Sequence, residues 1–124
     1  MLADTVVLID QIRGYQPALA WLTSLPDPPL VSGFAALELA FGSSDAQELS
    51  RVESFLKRFP ILWPDAEDVK RALTFSKLRL SGGLGILDAL TAALAIGHGQ
   101  ELLTFNLRHF KSVPGLKVLS TYSR

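Results

Sequence analysis

MLADTVVLID, which occupies residues 1–10, places one ionisable carboxylate, Asp4, between two apolar runs. The residues up to Asp4 are typical of a short buried strand, and residues 5–13 favour a helix ended by Gly14. Burying a lone charge is costly unless another group pairs with it. Asp4 therefore either caps the helix or is held in place to do chemistry.

The rest of the chain alternates short apolar runs with longer helical patterns. Such alternation predicts an α/β fold, in which helices flank both faces of a short, mostly parallel sheet of about four to five strands. No repeat or linker interrupts the pattern, so we expect one domain over residues 1–124. The further predicted elements are strands at 30–32, 61–63, 101–105 and 116–119, helices at 17–25, 33–42, 44–59, 65–80 and 86–99, a flexible loop at 81–85, and a turn or short helix at 106–110.

The composition limits the class of protein. Of the 124 residues, 48% are hydrophobic, which is ample for a core, and the lack of cysteine argues against a disulfide scaffold or a thiolate zinc site. The first residues show no leader-peptide pattern, and no run reaches the roughly 18–20 apolar residues of a membrane span. We therefore expect a soluble, cytoplasmic protein. Its formal net charge is zero, so any affinity for nucleic acid must come from local patches.

Polar residues are expected at the carboxyl edge of the sheet. Asp4 ends the first strand and Asn106 follows the fourth, and ligands of open parallel sheets bind outside the carboxyl ends of the strands. Glu38 and Asp88 lie within apolar helices. Three carboxylates that meet without a cation repel one another, whereas hard ions such as Mg²⁺ or Mn²⁺ take oxygen ligands. The set therefore indicates a metal-assisted site for a polyanionic substrate.

Each acid also has an ordinary structural explanation. Asp4 and Asp88 are each placed where a side chain caps a helix, which is the commonest role of such a residue. Glu38 has bases such as Arg13 or Arg108 as alternative partners. These alternatives stay open for each residue taken alone.

Basic residues gather in two parts of the chain. Residues 70–80, KRALTFSKLRL, contain four bases and no acid, and no acid follows Glu101. Such residues are most often solvated surface groups, but they are also the candidates for phosphate contacts. The weak candidates are Lys77, Arg79, Arg108 and Lys111. His98 lies between two glycines, where a helix C-terminus is expected.

Three stretches together resemble the PIN-domain family, and most closely the small toxins of VapBC-type toxin–antitoxin pairs. MLADTVVLID is similar to the opening of that family, and SGFAALELAFG, residues 32–42, resembles its second motif. Residues 86–116, from ILDAL through HF to PGL, are similar to its third and fourth motifs. The resemblance covers nearly the whole chain, in order.

The resemblance implies a Mg²⁺- or Mn²⁺-dependent ribonuclease that hydrolyses RNA phosphodiester bonds. It implies a homodimer inhibited by a cognate antitoxin, and the apolar helix at 17–25 with the aromatic residues Trp21 and Phe55 also favours association. By position, the resemblance assigns the core, metal-binding carboxylates to Asp4, Glu38 and Asp88, the place of the fourth acid to Asn106, and support by hydrogen bonding to Thr5 and Thr104.

Three departures from the family pattern weaken this assignment. Val6 stands where Asn or Ser is frequent, Asn106 brings oxygen without charge, and His109 stands where Asp is frequent. We expect His109 to contact phosphate or solvent and not metal. One alternative function is a catalytically weak module that binds RNA or protein. Another is a phosphatase or phosphotransferase with a nucleophilic Asp, but such chains usually need a second Asp at the place of Val6.

Overall fold

One parallel sheet forms the centre of the computed structural model, which describes residues 1–120 and 122–124. Each of its strands has only two or three residues. Within the described residues the sheet has five strands in the order β3-β2-β1-β4-β5, all parallel, which confirms the predicted class. The strands are β1 (Leu2–Ala3), β2 (Leu30–Ser32), β3 (Ile61–Leu62), β4 (Leu102–Leu103) and β5 (Val118–Leu119).

Helices connect the strands and cover both faces of the sheet, as predicted. None of those in the described part of the chain is long and apolar enough to cross a membrane. The helices are α1 (Thr5–Ile12), α2 (Gln16–Ser24), α3 (Gly33–Phe41), α4 (Ala46–Leu56), α5 (Ala66–Leu73), α6 (Lys77–Gly82), α7 (Ile86–Gly97) and α8 (Leu107–Phe110).

The prediction of one helix over residues 65–80 is wrong, because this stretch forms two helices, α5 and α6. At the break, the backbone N–H groups of residues 74–76 donate to carbonyls three residues earlier, and the Thr74 hydroxyl donates to the Arg71 carbonyl at 2.6 Å. This tightening ends α5. The expected loop at 81–85 is shorter than predicted, since α6 runs to Gly82 and ends where Gly83 has φ of +73°.

Alternate residues of the central strands point to opposite faces of the sheet, so the domain has two apolar layers. Leu2 and Leu102 pack with α7, whose alanines allow a close approach to the strands. Ala3 and Leu103 pack with α1, α3 and α4. Burial on both faces is what all-parallel sheets require.

A buried polar cluster joins α5 to the end of α7. The Asp68 carboxylate accepts hydrogen bonds from the Asp65 backbone N–H at 3.0 Å and from Arg71 Nη1 at 3.0 Å, and it lies 3.2 Å from His98 Nε2. Burial raises the pKa of Asp68, but the bonds from Asp65, His98 and Arg71 outweigh it and hold that pKa below 3.8. His98 is the C-cap residue of α7, as expected.

A second polar cluster fixes the last residues against α1. The buried Asp10 carboxylate accepts from the Tyr122 hydroxyl at 2.8 Å and from Arg124 Nε and Nη2 at 3.0 Å each. Trp21 packs against the Tyr122 ring, with centroids 6.0 Å apart, and Phe55 is buried against Phe59. Phe55 therefore serves the protein's own core, and Trp21 is half-buried against that core.

A substitution at Gly97 tests whether the polar cluster stabilises the packing of α5 against α7. A Cβ at this position would overlap Arg71 Nη1 and lie 2.9 Å from Asp68 Oδ1. We expect Gly97→Ala to move the guanidinium away from Asp68 and lower the free energy of unfolding by about 1–3 kcal/mol. Urea denaturation measures this loss. Gly85→Ala at the other end of α7 is the control, because its Cβ would be 3.7 Å from the nearest atom. Equal stability of the two variants would show that the cluster does not hold α7.

Candidate active site

Asp4 lies at the carboxyl end of β1, beside the end of β4. Its backbone N–H donates to the Leu103 carbonyl at 2.9 Å. Its side chain accepts from the Thr5 backbone N–H at 2.9 Å, as an N-cap of α1, and from the Thr104 hydroxyl at 2.7 Å. The two explanations offered for Asp4 are thus compatible, because one oxygen caps the helix while the carboxylate lies at the crevice.

The pKa of Asp4 is raised above its ordinary value of 3.8. Burial is the main cause, because a charged carboxylate loses solvation there. The hydrogen bonds from Thr104 and Thr5 act in the opposite direction, and the charge of Asp88 raises the pKa further. Asp4 and Asp88 therefore lie close enough to repel each other.

Glu38 reaches the same edge of the sheet from α3. This helix begins directly after β2, where the Ser32 hydroxyl accepts from the Ala35 backbone N–H at 2.9 Å. One Glu38 oxygen accepts from the Thr5 hydroxyl at 3.0 Å. Among the described residues Glu38 has no base within 4.0 Å, so the alternative pairing with Arg13 or Arg108 is not observed.

Asp88 reaches the site from the first turn of α7. Its carboxylate is 3.4 Å from the Gly85 backbone N–H, which donates to it, and 3.3 Å from His109 Nδ1. His109 Nδ1 also lies 2.8 Å from the Asn106 side-chain amide. The Asn106 backbone N–H donates to the Thr104 hydroxyl at 3.0 Å. Thr104 thus joins Asn106 to Asp4, and the contact of His109 with Asp88 is one that sequence reasoning missed.

A cleft of about 540 Å³ brings these residues together. Asp4, Glu38, Asp88 and Asn106 line it, as does Thr5, while Thr104 lies behind Asp4. Arg79 of α6 is its one basic lining residue in the described part of the chain, and Lys77, Arg108 and Lys111 are exposed and do not line it. The remaining lining residues are Val6, Ile9, Gly85, Ile86, Leu87 and Thr91.

The chemical type of the side chains in the cleft suits a hard divalent cation. They offer carboxylate and amide oxygens without sulfur, and Asp4 and Asp88 repel each other in the absence of a cation. Among the described residues, however, no three His, Asp or Glu side chains form a ready metal-binding cluster. Mg²⁺ commonly binds one or two carboxylates and keeps several waters, so an open arrangement suits it better than a closed cage.

Comparison with known proteins shows the family to which the chain is similar. The model of the PIN domain family matches residues 1–116. Ribonuclease VapC19 of Mycobacterium tuberculosis is 32% identical over 123 residues, which cover 94% of this chain and 96% of that protein. Ribonuclease VapC1 of Rickettsia felis is 49% identical over 41 residues, which cover 33% of this chain and 31% of that protein.

A solved structure has a similar fold over nearly the whole length of this chain. A toxin–antitoxin complex from Klebsiella pneumoniae contains a chain that is 28% identical, with a TM-score of 0.80, and the match covers 99% of this chain and 98% of that one. A family match over residues 1–116 and a relative aligned nearly end to end are sufficient for assignment. The chain belongs to the PIN domain family.

Proposed function

We propose that this protein is a ribonuclease that hydrolyses RNA phosphodiester bonds with Mg²⁺ or Mn²⁺, and that it is the toxin of a toxin–antitoxin pair. The observation that carries the proposal is one cleft that collects Asp4, Glu38, Asp88 and Asn106 at the carboxyl edge of the sheet. The relatives named ribonuclease VapC support the reaction. The solved toxin–antitoxin complex supports the biological role.

The proposed roles follow from the hydrogen bonds of each residue. Asp4, Glu38 and Asp88 are the residues that would hold a divalent ion, and the hydroxyls of Thr104 and Thr5 hold two of these carboxylates without neutralising them. When bound there, a divalent ion would supply Lewis-acid chemistry for the hydrolysis of the phosphodiester.

The secondary roles concern the neighbours of the three acids. Asn106 supports the site as a neutral ligand or a water-orienting group, and His109 positions Asp88 and contacts the substrate. Arg79 binds a phosphate oxygen of the substrate, because it is the base that lines the cleft among the described residues. Arg108 and Lys111 are exposed on and beside α8, and they assist RNA binding from outside the cleft.

A second candidate function is a catalytically weak PIN module that binds RNA or protein. Two observations favour it: an amide in place of a fourth acid, and the absence of a ready metal cluster in the described residues. Divalent-dependent cleavage of RNA separates the two functions, since a binding module would retain RNA without cutting it.

The proposed partners are a cognate antitoxin and a second copy of this chain. The proposed location is the cytoplasm, in keeping with the proposed RNA substrate. An apolar groove of about 630 Å³ between α5, α6 and α7 supports association. Two of its lining residues are large apolar side chains with unusually high exposure, since Leu73 is 73% exposed and Ile86 is 78% exposed. We propose that the homodimer covers this groove.

Replacing Asp4 should reveal the charge repulsion. Because the folded-state pKa of Asp4 is raised, the wild type loses stability as the pH rises from 3.8 through that higher pKa. Asp4→Asn removes this loss. In EDTA, the melting temperature of the variant minus that of the wild type should therefore increase with pH over this interval and stay constant at higher pH. Mn²⁺ should then raise the melting temperature of the wild type more than that of the variant.

Circular dichroism at a series of pH values measures this difference. Asp27→Asn, at an exposed position, removes the same charge as a control. An identical response of Asp4→Asn and Asp27→Asn, both to pH and to Mn²⁺, would remove Asp4 from the metal site.

Cleavage of a fluorogenic single-stranded RNA tests the reaction. We expect Asp88→Asn and Glu38→Gln each to lower the Mn²⁺-dependent rate by about 10²-fold or more, because metal sites contribute several kcal/mol to such reactions. Glu53→Gln on the exposed side of α4 should leave it unchanged. Metal-independent cleavage, or equal rates in all three variants, would contradict the assignment.

Light scattering tests the homodimer. Leu73→Glu should convert a dimer into a monomer, because it places a charge on the apolar groove where the second copy is proposed to bind. Phe41→Glu is the matched control, since Phe41 is 86% exposed on α3 and lies outside that groove. A wild type that stays monomeric, or a dimer broken by Phe41→Glu alone, would refute this interface.

A further inference from the structure

We infer that a second groove, between α1, α3 and α4, binds the phosphates of single-stranded RNA through Arg13 and Arg51. This inference rests on the proposed ribonuclease function and gives its substrate a path beyond the acidic cleft. The groove has a volume of about 620 Å³. Its lining residues are Thr5, Ile9, Ile12, Arg13, Glu38, Leu39, Gly42, Glu48, Arg51 and Val52.

The groove and the acidic cleft adjoin. Thr5, Ile9 and Glu38 line both of them. Thr5, Ile9 and Arg13 follow one another at four-residue spacing, so they share one face of α1. Arg13 is nine residues beyond Asp4, which corresponds to about 13 Å along the helix. A strand held at the acidic cleft therefore continues along α1 toward Arg13.

The acidic side chains of this groove have hydrogen-bond partners within the protein, whereas its arginines have no carboxylate partner among the described residues. Its two carboxylates are already bonded within the protein: Glu48 accepts from the Ser44 hydroxyl at 2.6 Å and from its backbone N–H at 3.3 Å, and Glu38 accepts from Thr5. Neither Arg13 nor Arg51 has a carboxylate within 4.0 Å among the described residues. The free hydrogen-bonding groups are thus guanidinium donors.

This combination suits a nucleic-acid strand. Guanidinium groups bind phosphate oxygens through paired N–H donors, and they keep their charge at every physiological pH. Ile9, Leu39 and Val52 give the groove an apolar floor against which a base or ribose packs. An acidic peptide of a partner protein would use the same donors, so it is the competing occupant that the experiment must separate.

Fluorescence anisotropy of a labelled single-stranded RNA of mixed sequence tests the inference. The protein carries Asp88→Asn to prevent cleavage, and affinity is measured in Mg²⁺ from about 50 to 200 mM NaCl, where phosphate contacts dominate the salt dependence. The test variant adds Arg13→Gln and Arg51→Gln. The control adds Lys57→Gln and Lys117→Gln, which remove the same charge from exposed positions outside both cavities.

We expect the arginine pair to weaken RNA binding at least about 10-fold and to lower the salt slope by about 1.4, or roughly 0.7 for each single-strand phosphate that an arginine no longer neutralises. Arg13→Lys with Arg51→Lys should restore most of the slope, since charge is retained. An equal weakening in the lysine control would overturn the inference by showing only a general charge effect. Unchanged RNA binding with abolished binding of a labelled oligo-glutamate peptide would overturn it in favour of a protein partner.

This design distinguishes failure of the proposed RNA-binding groove from failure of the proposed ribonuclease function. If the wild type cuts no RNA but the arginine pair still governs RNA affinity, the ribonuclease proposal fails and the groove stands. If the wild type cuts RNA and the arginine pair has no effect on its affinity, the groove fails alone.

Discussion

The parallel pairing of β1 with β4 is the constraint on which the candidate site depends. It sets Ala3 beside Leu103, so the next residue of each strand, Asp4 and Thr104, leaves the sheet at the same edge although 100 positions separate them. The Thr104 hydroxyl then donates to Asp4 at 2.7 Å and accepts from the Asn106 backbone. A register slip of one residue would turn these side chains away from each other. The location also follows the general rule for open parallel sheets, since the connections diverge between β1 and β4.

Two buried acids outside the cleft, Asp10 and Asp68, differ in their partners from the acids that line it. Asp10 and Asp68 are buried and each is paired with an arginine, Arg124 and Arg71 respectively. Such pairing compensates the cost of burying a charge and holds separate parts of the chain together. These acids fasten the last residues to α1 and α5 to α7.

Two of the three carboxylates of the cleft are held differently. Asp4 and Glu38 receive neutral hydroxyl donors from Thr104 and Thr5, and no base lies within 4.0 Å of either in the described residues. Their orientation is fixed while their negative charge remains available. Repulsion between Asp4 and Asp88 then lowers the stability of the cation-free protein and increases the gain from binding a cation. An acid fixed by hydroxyls is therefore a better candidate for function here than one fixed by arginine.

The sequence by itself determined the alternation of strands and helices, the position of Asp4 at a strand end and the expectation that Asn106 lies near it. These features depend on local hydrophobic periodicity and on capping, which act over a few residues. The break between α5 and α6 was missed because the apolar pattern continues through residues 74–76 while the hydrogen bonds tighten there. Only the tertiary structure decided that Phe55 serves the core with Trp21 half-buried against it, that Asp10 binds Arg124, and that His109 contacts Asp88. These contacts join residues from distant parts of the chain, and the register of the sheet and the docking of helices on it fix their distances, neither of which is written in any local stretch of sequence.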